Sequence, residues 1–159
     1  MSSRVALLLC VMLSAGCLTP ESGPEQSALT KQFLRVTKEV PAFGGITREN
    51  GGWVVSVLDS EQRGTAEEKL RDIFGEEAAT FVVRVRAPRG SASEQTMDAA
   101  TEVLSVPGIE RLDYDERTGY LLVGLVDVEA LEPAQLKLDE LGIPLDQVII
   151  QVVSPIVAR

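Results

Sequence analysis

Few groups of side chains in this sequence are spaced for chemistry. Leu112-Asp113-Tyr114-Asp115-Glu116 packs three carboxylates into five residues, the donor type that takes calcium. Alternation along a strand spreads such side chains, however, and Arg117 adjoins them. The twelve-residue spacing of a calcium-binding hand, with its closing acid, is missing. Turn chemistry accounts better for the Asp and Gly at this place. Asp59 and Asp127 each follow an apolar run and precede a helical pattern, which suits a polar residue before a helix rather than a catalytic pair. Gly44-Gly45 and Gly51-Gly52 lack the Gly-Lys-Ser/Thr sequel of a phosphate loop. Phe43-Gly44-Gly45 reads instead as a bend or a close backbone approach within a sheet. A serine activated by lysine would need a matched pair, yet Lys31, Lys38, Lys69 and Lys137 fall at helical, solvated positions with no serine partner. The 159 residues include no histidine, and both cysteines, Cys10 and Cys17, lie near the N-terminus. That removes His-dependent triads, His/Cys zinc sites and a disulfide framework in the folded part. The expectation is a protein that is not an enzyme and needs no metal or cofactor.

Composition narrows the partner classes. The chain is 45% hydrophobic and 25% charged, so it should fold. Aromatics are 4% of residues, which leaves Val, Leu, Ile and Ala to build the core. A net charge of −9 opposes nucleic-acid binding, because lysines and arginines must displace counterions from phosphates.

The N-terminus reads as an address. Arg4 precedes an apolar run from Val5 to Leu13, and the small residues Ser14, Ala15 and Gly16 stand before Cys17. The run is too short to span a bilayer as a helix. Small residues before a cysteine resemble the lipobox of bacterial lipoproteins, although Leu13 lies one place earlier than the family favours. The resemblance implies a signal peptide over residues 1–16 and lipidation at Cys17. The chain would then be exported and lipid-anchored to the cell envelope, at the outer membrane if the cell has two, since Leu18 is not the aspartate of inner-membrane retention. Several acyl chains on one residue give a stable anchor. Residues 17–27, rich in Pro, Ser, Gly and Glu, then form a tether. A negative domain is repelled by anionic headgroups, so lipid and not charge must hold it there.

The elements that position everything else follow from an internal repeat. At an offset of 67 residues Glu49 meets Glu116, Gly52 meets Gly119, Leu58 meets Leu125, Gly75 meets Gly142, Val85 meets Val152 and Pro88 meets Pro155. Each copy reads as ββαβ, over residues 43–90 and 109–159, with a linking helix in 91–108 and an N-terminal helix in 28–42. The fold class expected is α+β: two ββαβ repeats joined by a helix, with small antiparallel or mixed sheets covered by helices on one face. In the first copy Asn50-Gly51-Gly52 turns the chain. Thr65 and Glu68 suggest a capping box; Ala66, Leu70, Ile73 and Phe74 share a helical face, and Gly75 ends the helix. Phe81, Val83 and Val85 should share one strand face, with Arg84 and Arg86 on a solvated face opposite. In the linking helix, Ser93 to Val106, Met97, Ala100 and Leu104 should face inward. Around Leu29 to Val40, the apolar set is Leu29, Phe33, Leu34 and Val36.

The C-terminal stretch is the one candidate binding site. A strand from Val148 to Val153, with Val148, Ile150 and Val152 alternating, leads into Ile156, Val157, Ala158 and Arg159. Such a tail either packs on its own core or lies extended in a partner's groove, where main-chain hydrogen bonds give affinity.

From Phe43 to Pro155 the chain resembles the pro-regions of bacterial chymotrypsin-like proteases of the alpha-lytic protease and streptogrisin group. The likeness rests on Gly-Gly followed by the Val-rich strand Trp53 to Asp59, on a Val-rich strand after a short helix, and on the hairpin Leu112-Asp113-Tyr114-Asp115-Glu116-Arg117-Thr118-Gly119-Tyr120-Leu121-Leu122-Val123. In that family the pro-region packs on the protease, assists its folding and inhibits it. The resemblance implies a serine protease as protein partner, with Val148 to Val153 as docking edge and Ile156 to Arg159 filling the cleft. The other expectation is a structural envelope lipoprotein that assembles with itself or with other envelope proteins.

Overall fold

The computed structural model describes residues 25–157. The stretches expected to be a signal peptide and, for the most part, a tether lie outside the described residues, as do Cys17, Ala158 and Arg159.

The protein is α+β, with two three-stranded mixed sheets and four α-helices among the described residues. Helix α1 (Ala28–Glu39) opens where the Ser27 hydroxyl accepts a bond from the Thr30 backbone amide. Strands β1 (Phe43–Glu49) and β2 (Gly52–Val57) form an antiparallel hairpin, helix α2 (Arg63–Phe74) follows, and β3 (Val82–Val85) returns parallel to β2. Helix α3 (Glu94–Ala100) links to β4 (Ile109–Asp115) and β5 (Tyr120–Leu125), then α4 (Leu131–Glu140) and β6 (Val148–Val152), again parallel to its neighbour. The sheet orders are β1-β2-β3 and β4-β5-β6.

Matched hydrogen bonds show how the two halves correspond. Leu58 donates to Ala42 O and Val126 to Gly108 O; Arg86 donates to Val57 O and Val153 to Leu125 O. Ala42 and Gly108 stand 66 apart, Val57 and Leu125 stand 68 apart, and Arg86 and Val153 stand 67 apart. The single register of 67 is therefore an average. Only Asn50 and Gly51 lie between the closing pair Glu49 and Gly52, both at positive φ, whereas Asp115 and Tyr120 enclose four residues. The longer second turn adds two residues, and the second helix gives one back before its Gly142 stop.

Four local expectations are corrected. The Thr65–Glu68 capping box does not form, since α2 has already begun at Arg63. Asp59 acts earlier: its carboxylate accepts from the Glu61 amide at 2.9 Å and starts a 3₁₀ turn, Ser60–Gln62, that runs into the helix. Asp127 does the same for Val128–Ala130, accepting from Glu129 at 3.0 Å. In the linker, α3 ends at Ala100 and a 3₁₀ turn continues over Thr101–Ser105. A period of three in place of 3.6 buries Val103 and turns Leu104 outward. Val85 is 40% exposed, because β3 forms an edge of its sheet; Leu29 also lies at the surface, and Thr30, Phe33 and Val36 are the buried residues of α1.

One apolar core runs through both halves. The strand β1 lies beside β6, α1 packs on both α2 and β6, and α4 packs against β1. The scarce aromatics are concentrated: the Phe33 ring lies 4.4 Å from Trp53 and 5.2 Å from Phe74, and Phe74 lies 4.6 Å from Phe81. Offset rings at such spacing add about 1 kcal/mol per pair to simple burial.

Candidate functional site

The C-terminal strand and tail divide into two environments. Val148, Ile150 and Val152 are buried at 2%, 1% and 0% exposure, held between β5, the bulge of β1 and helix α1. Their side chains are core, which leaves them no surface for a partner. Even the outer amide of Val152 is satisfied from within, donating to Thr37 Oγ1 of α1 at 3.3 Å. Past Val153 the chain leaves the core, and Ile156 and Val157 are 75% and 81% exposed. The Ile156 amide donates to a Glu110 carboxylate oxygen at 3.2 Å, and the segment is otherwise extended without regular structure.

The two arginines expected on a solvated face separate. Arg84 stays at the surface and meets Glu49 in a two-pronged ion pair, Nη1 to Oε1 at 2.6 Å and Nη2 to Oε2 at 2.8 Å. This bond holds the Glu49 carboxyl below the usual carboxylate range and raises the arginine. Arg86 turns between the sheets. Its Nη1 donates to Gly44 O and Val148 O, and its Nη2 to Leu145 O, all at 2.8 Å. The guanidinium lies 4.9 Å from the centre of the Tyr120 ring, whose hydroxyl donates to Ala87 O at 2.6 Å. Burial depresses the guanidinium below its ordinary value. Arg86 thus joins β1, β3, β6 and the turn before β6 by one planar fork, a task lysine cannot perform. Strand alternation could not reveal this, because it predicts the face of a sheet and not whether a neighbouring sheet's edge covers that face.

The bulge beside Arg86 explains Gly44-Gly45. Gly45 has φ of +110°, and a Cβ there would lie 3.3 Å from the Ile150 nitrogen, so the glycine permits the close approach of β1 to β6. The acidic turn is turn machinery. Asp115 accepts from Thr118 Oγ1 and from the Arg117 amide, and the Thr118 bond chiefly holds its carboxyl below the ordinary value.

Among the described residues no helix is long and apolar enough to cross a membrane. No protein-family model and no curated protein matches this chain.

Proposed function

We propose that the protein is a non-enzymatic lipoprotein, anchored to the cell envelope through Cys17, that binds a protein partner through its C-terminal tail. The leading partner class is an exported chymotrypsin-like serine protease, restrained or assisted in folding as by a pro-region. The observation that supports this reading is the contrast between a last strand whose apolar side chains are all buried and the two exposed apolar residues, Ile156 and Val157, that follow it. Apolar side chains presented on an extended segment suit insertion into an enzyme cleft, where their burial contributes about 25 cal/mol per Å².

The test compares the chain with one lacking Ile156 to Arg159, titrated against a panel of chymotrypsin-like bacterial proteases. Inhibition that disappears with the tail is expected. Equal potency after truncation would remove the tail from the mechanism, and no inhibition by either chain would remove the protease. The same preparations address the anchor: Cys17→Ser should abolish incorporation of labelled fatty acid and release the protein from membranes.

A second reading, an envelope scaffold assembling with itself, is favoured by the free edge of the first sheet. There Val82 is 53% exposed, whereas Ile149, which the 67-residue offset pairs with it, is buried. Concentration-dependent oligomers in sedimentation equilibrium, with no protease inhibition, would select it.

A further inference from the structure

Arg86 uses three of the five N–H donors of its guanidinium on backbone carbonyls. Nε–H and one N–H on Nη2 remain. No buried polar side-chain atom among the described residues lacks a hydrogen-bond partner, so the unbonded Nε is open to solvent and not sealed in the core. Arg86 lines a cavity of about 320 Å³ together with Ala87, Arg89, Gly90, Ser91, Tyr120 and Asp146, at the lower end of the size range of small-ligand pockets.

Two further features make this place unusual in so acidic a chain. From Ala78 to Ser93 the sequence carries Arg84, Arg86 and Arg89 and no acid. Arg84 has its own carboxylate in Glu49, but neither Arg86 nor Arg89 enters an ion pair among the described residues. The Arg86 charge, partly withdrawn from water, faces carbonyl dipoles, the Tyr120 ring and, beyond ion-pair distance, the Asp146 carboxylate, so it has no direct counter-charge. The segment that carries Arg89 is fixed. Gly90 donates to Thr118 O at 2.7 Å and Ala92 to Gly119 O at 3.0 Å. A Cβ on Gly90 would fall 2.5 Å from Gly119 O, so only glycine lets this strap lie against the hairpin.

We propose that this cavity is a carboxylate-binding site, in which Arg86 offers Nε–H and Nη2–H side by side to the two oxygens and Arg89 closes over them. A planar carboxylate matches two parallel guanidinium donors. Single charge is favoured over double because Asp146 lines the same cavity, and its repulsion grows with the ligand's charge. The Tyr120 ring and the strap beside it form a wall against which an apolar stem can lie. The ligand class is therefore a monocarboxylate with a short apolar stem, as on an acidic side chain or a chain terminus. The site is independent of the tail reading, since it lies in the linker strap and draws on none of Ile156 to Arg159.

The experiment follows the arginine Nε–Hε resonances of the full chain by NMR while propionate is added, with propionamide, phosphate and chloride in parallel. Propionate should move the Arg86 signal saturably, and propionamide should not. Arg89→Ala should weaken the propionate response about fivefold and Asp146→Asn should strengthen it, and both residues are exposed enough to replace without unfolding the chain. No saturable shift, or the same shift with chloride, would overturn the site. Tighter binding of phosphate than of propionate would overturn the carboxylate assignment. Indifference to both substitutions would place the ligand elsewhere. Failure here leaves the protease titration untouched, and failure there leaves this site untouched.

Discussion

A single guanidinium ties the two halves together, donating to Val148 O and Leu145 O of the second while bracing Gly44 O of its own. Arg86→Met would keep much of the packing volume but remove the three N–H donors that Gly44 O, Leu145 O and Val148 O accept from. The expected loss is about 3 kcal/mol, read as a lower urea midpoint at unchanged slope. Arg86→Lys should fall between, since an ammonium cannot span three carbonyls held in one plane. A methionine variant as stable as the parent would show that the cost of withdrawing the charge from water cancels its bonds. The exposed carboxylates predict the response to acid. Glu49 and Asp115 are held below their ordinary values, by Arg84 and chiefly by Thr118 respectively. Their contribution is complete above the ordinary carboxylate range, about pH 4, and drains away as pH falls through the depressed values. Both sit largely in solvent, so screening keeps each below about 1 kcal/mol. Urea midpoints measured downward from neutral pH should stay flat and then fall in acid, and Glu49→Gln should make that fall shallower.

Among the elements, the glycines of β1 and of its turn look alike in sequence but are expected to respond differently to a methyl group. Gly51 has φ of +77° with nothing within 4 Å of a built Cβ, so Gly51→Ala should cost only the strain of a left-handed residue, about 1 kcal/mol. Gly45 has φ of +110° and faces the Ile150 nitrogen, the Ile149 Cα and Arg86 Nη1 within 3.5 Å. Gly45→Ala should cost at least about 2 kcal/mol and loosen the contact between β1 and β6. Thermal unfolding of both variants checks the order, and equal losses would mean that the bulge tolerates a side chain. The sequence disclosed that Gly44-Gly45 marks a bend or a close approach, but what approaches is a strand about a hundred residues downstream, beyond the reach of any local pattern. The same divide runs through the other elements. Strand alternation, the helical face of Ala66, Leu70 and Ile73, and the stops at Gly75 and Gly142 were legible because they depend on neighbours in sequence. The start of α2 was missed because Asp59 caps a 3₁₀ turn ahead of it, and the inward turn of Val103 because the helical period changes after Ala100. The candidate binding strand was legible as a strand; its complete burial was not, since that depends on α1, more than a hundred residues earlier.

On the scale of the whole molecule, the two halves should unfold as one. Each sheet has only three strands, too few to be strongly stable alone, and each shares its cover with the other. Helix α1 belongs to neither half. Its Gln32 donates to Ile73 O in α2, its Thr30 donates to Asp127, its Thr37 receives the Val152 amide, and its Phe33 lies fully buried among the aromatics of the first sheet. Across the other side, Gln135 of α4 both accepts from the Arg48 amide and donates to the Arg48 carbonyl, pairing the edge of β1 as a neighbouring strand would. The distribution of chromophores makes the coupling measurable, because Trp53 reports on the first half whereas Tyr114 and Tyr120 both lie in the second. Unfolding in urea followed by tryptophan emission and by tyrosine absorbance should give coincident curves. Phe33→Ala should lower both midpoints together, by about 3 to 5 kcal/mol of stability, although the ring touches aromatics only of the first half. If the tryptophan curve moved and the tyrosine curve stayed, the halves would be separate units leaning on one helix. The common core argues for the first outcome: α1 cannot release the first sheet without exposing β6, whose Val148, Ile149, Ile150 and Val152 are all buried.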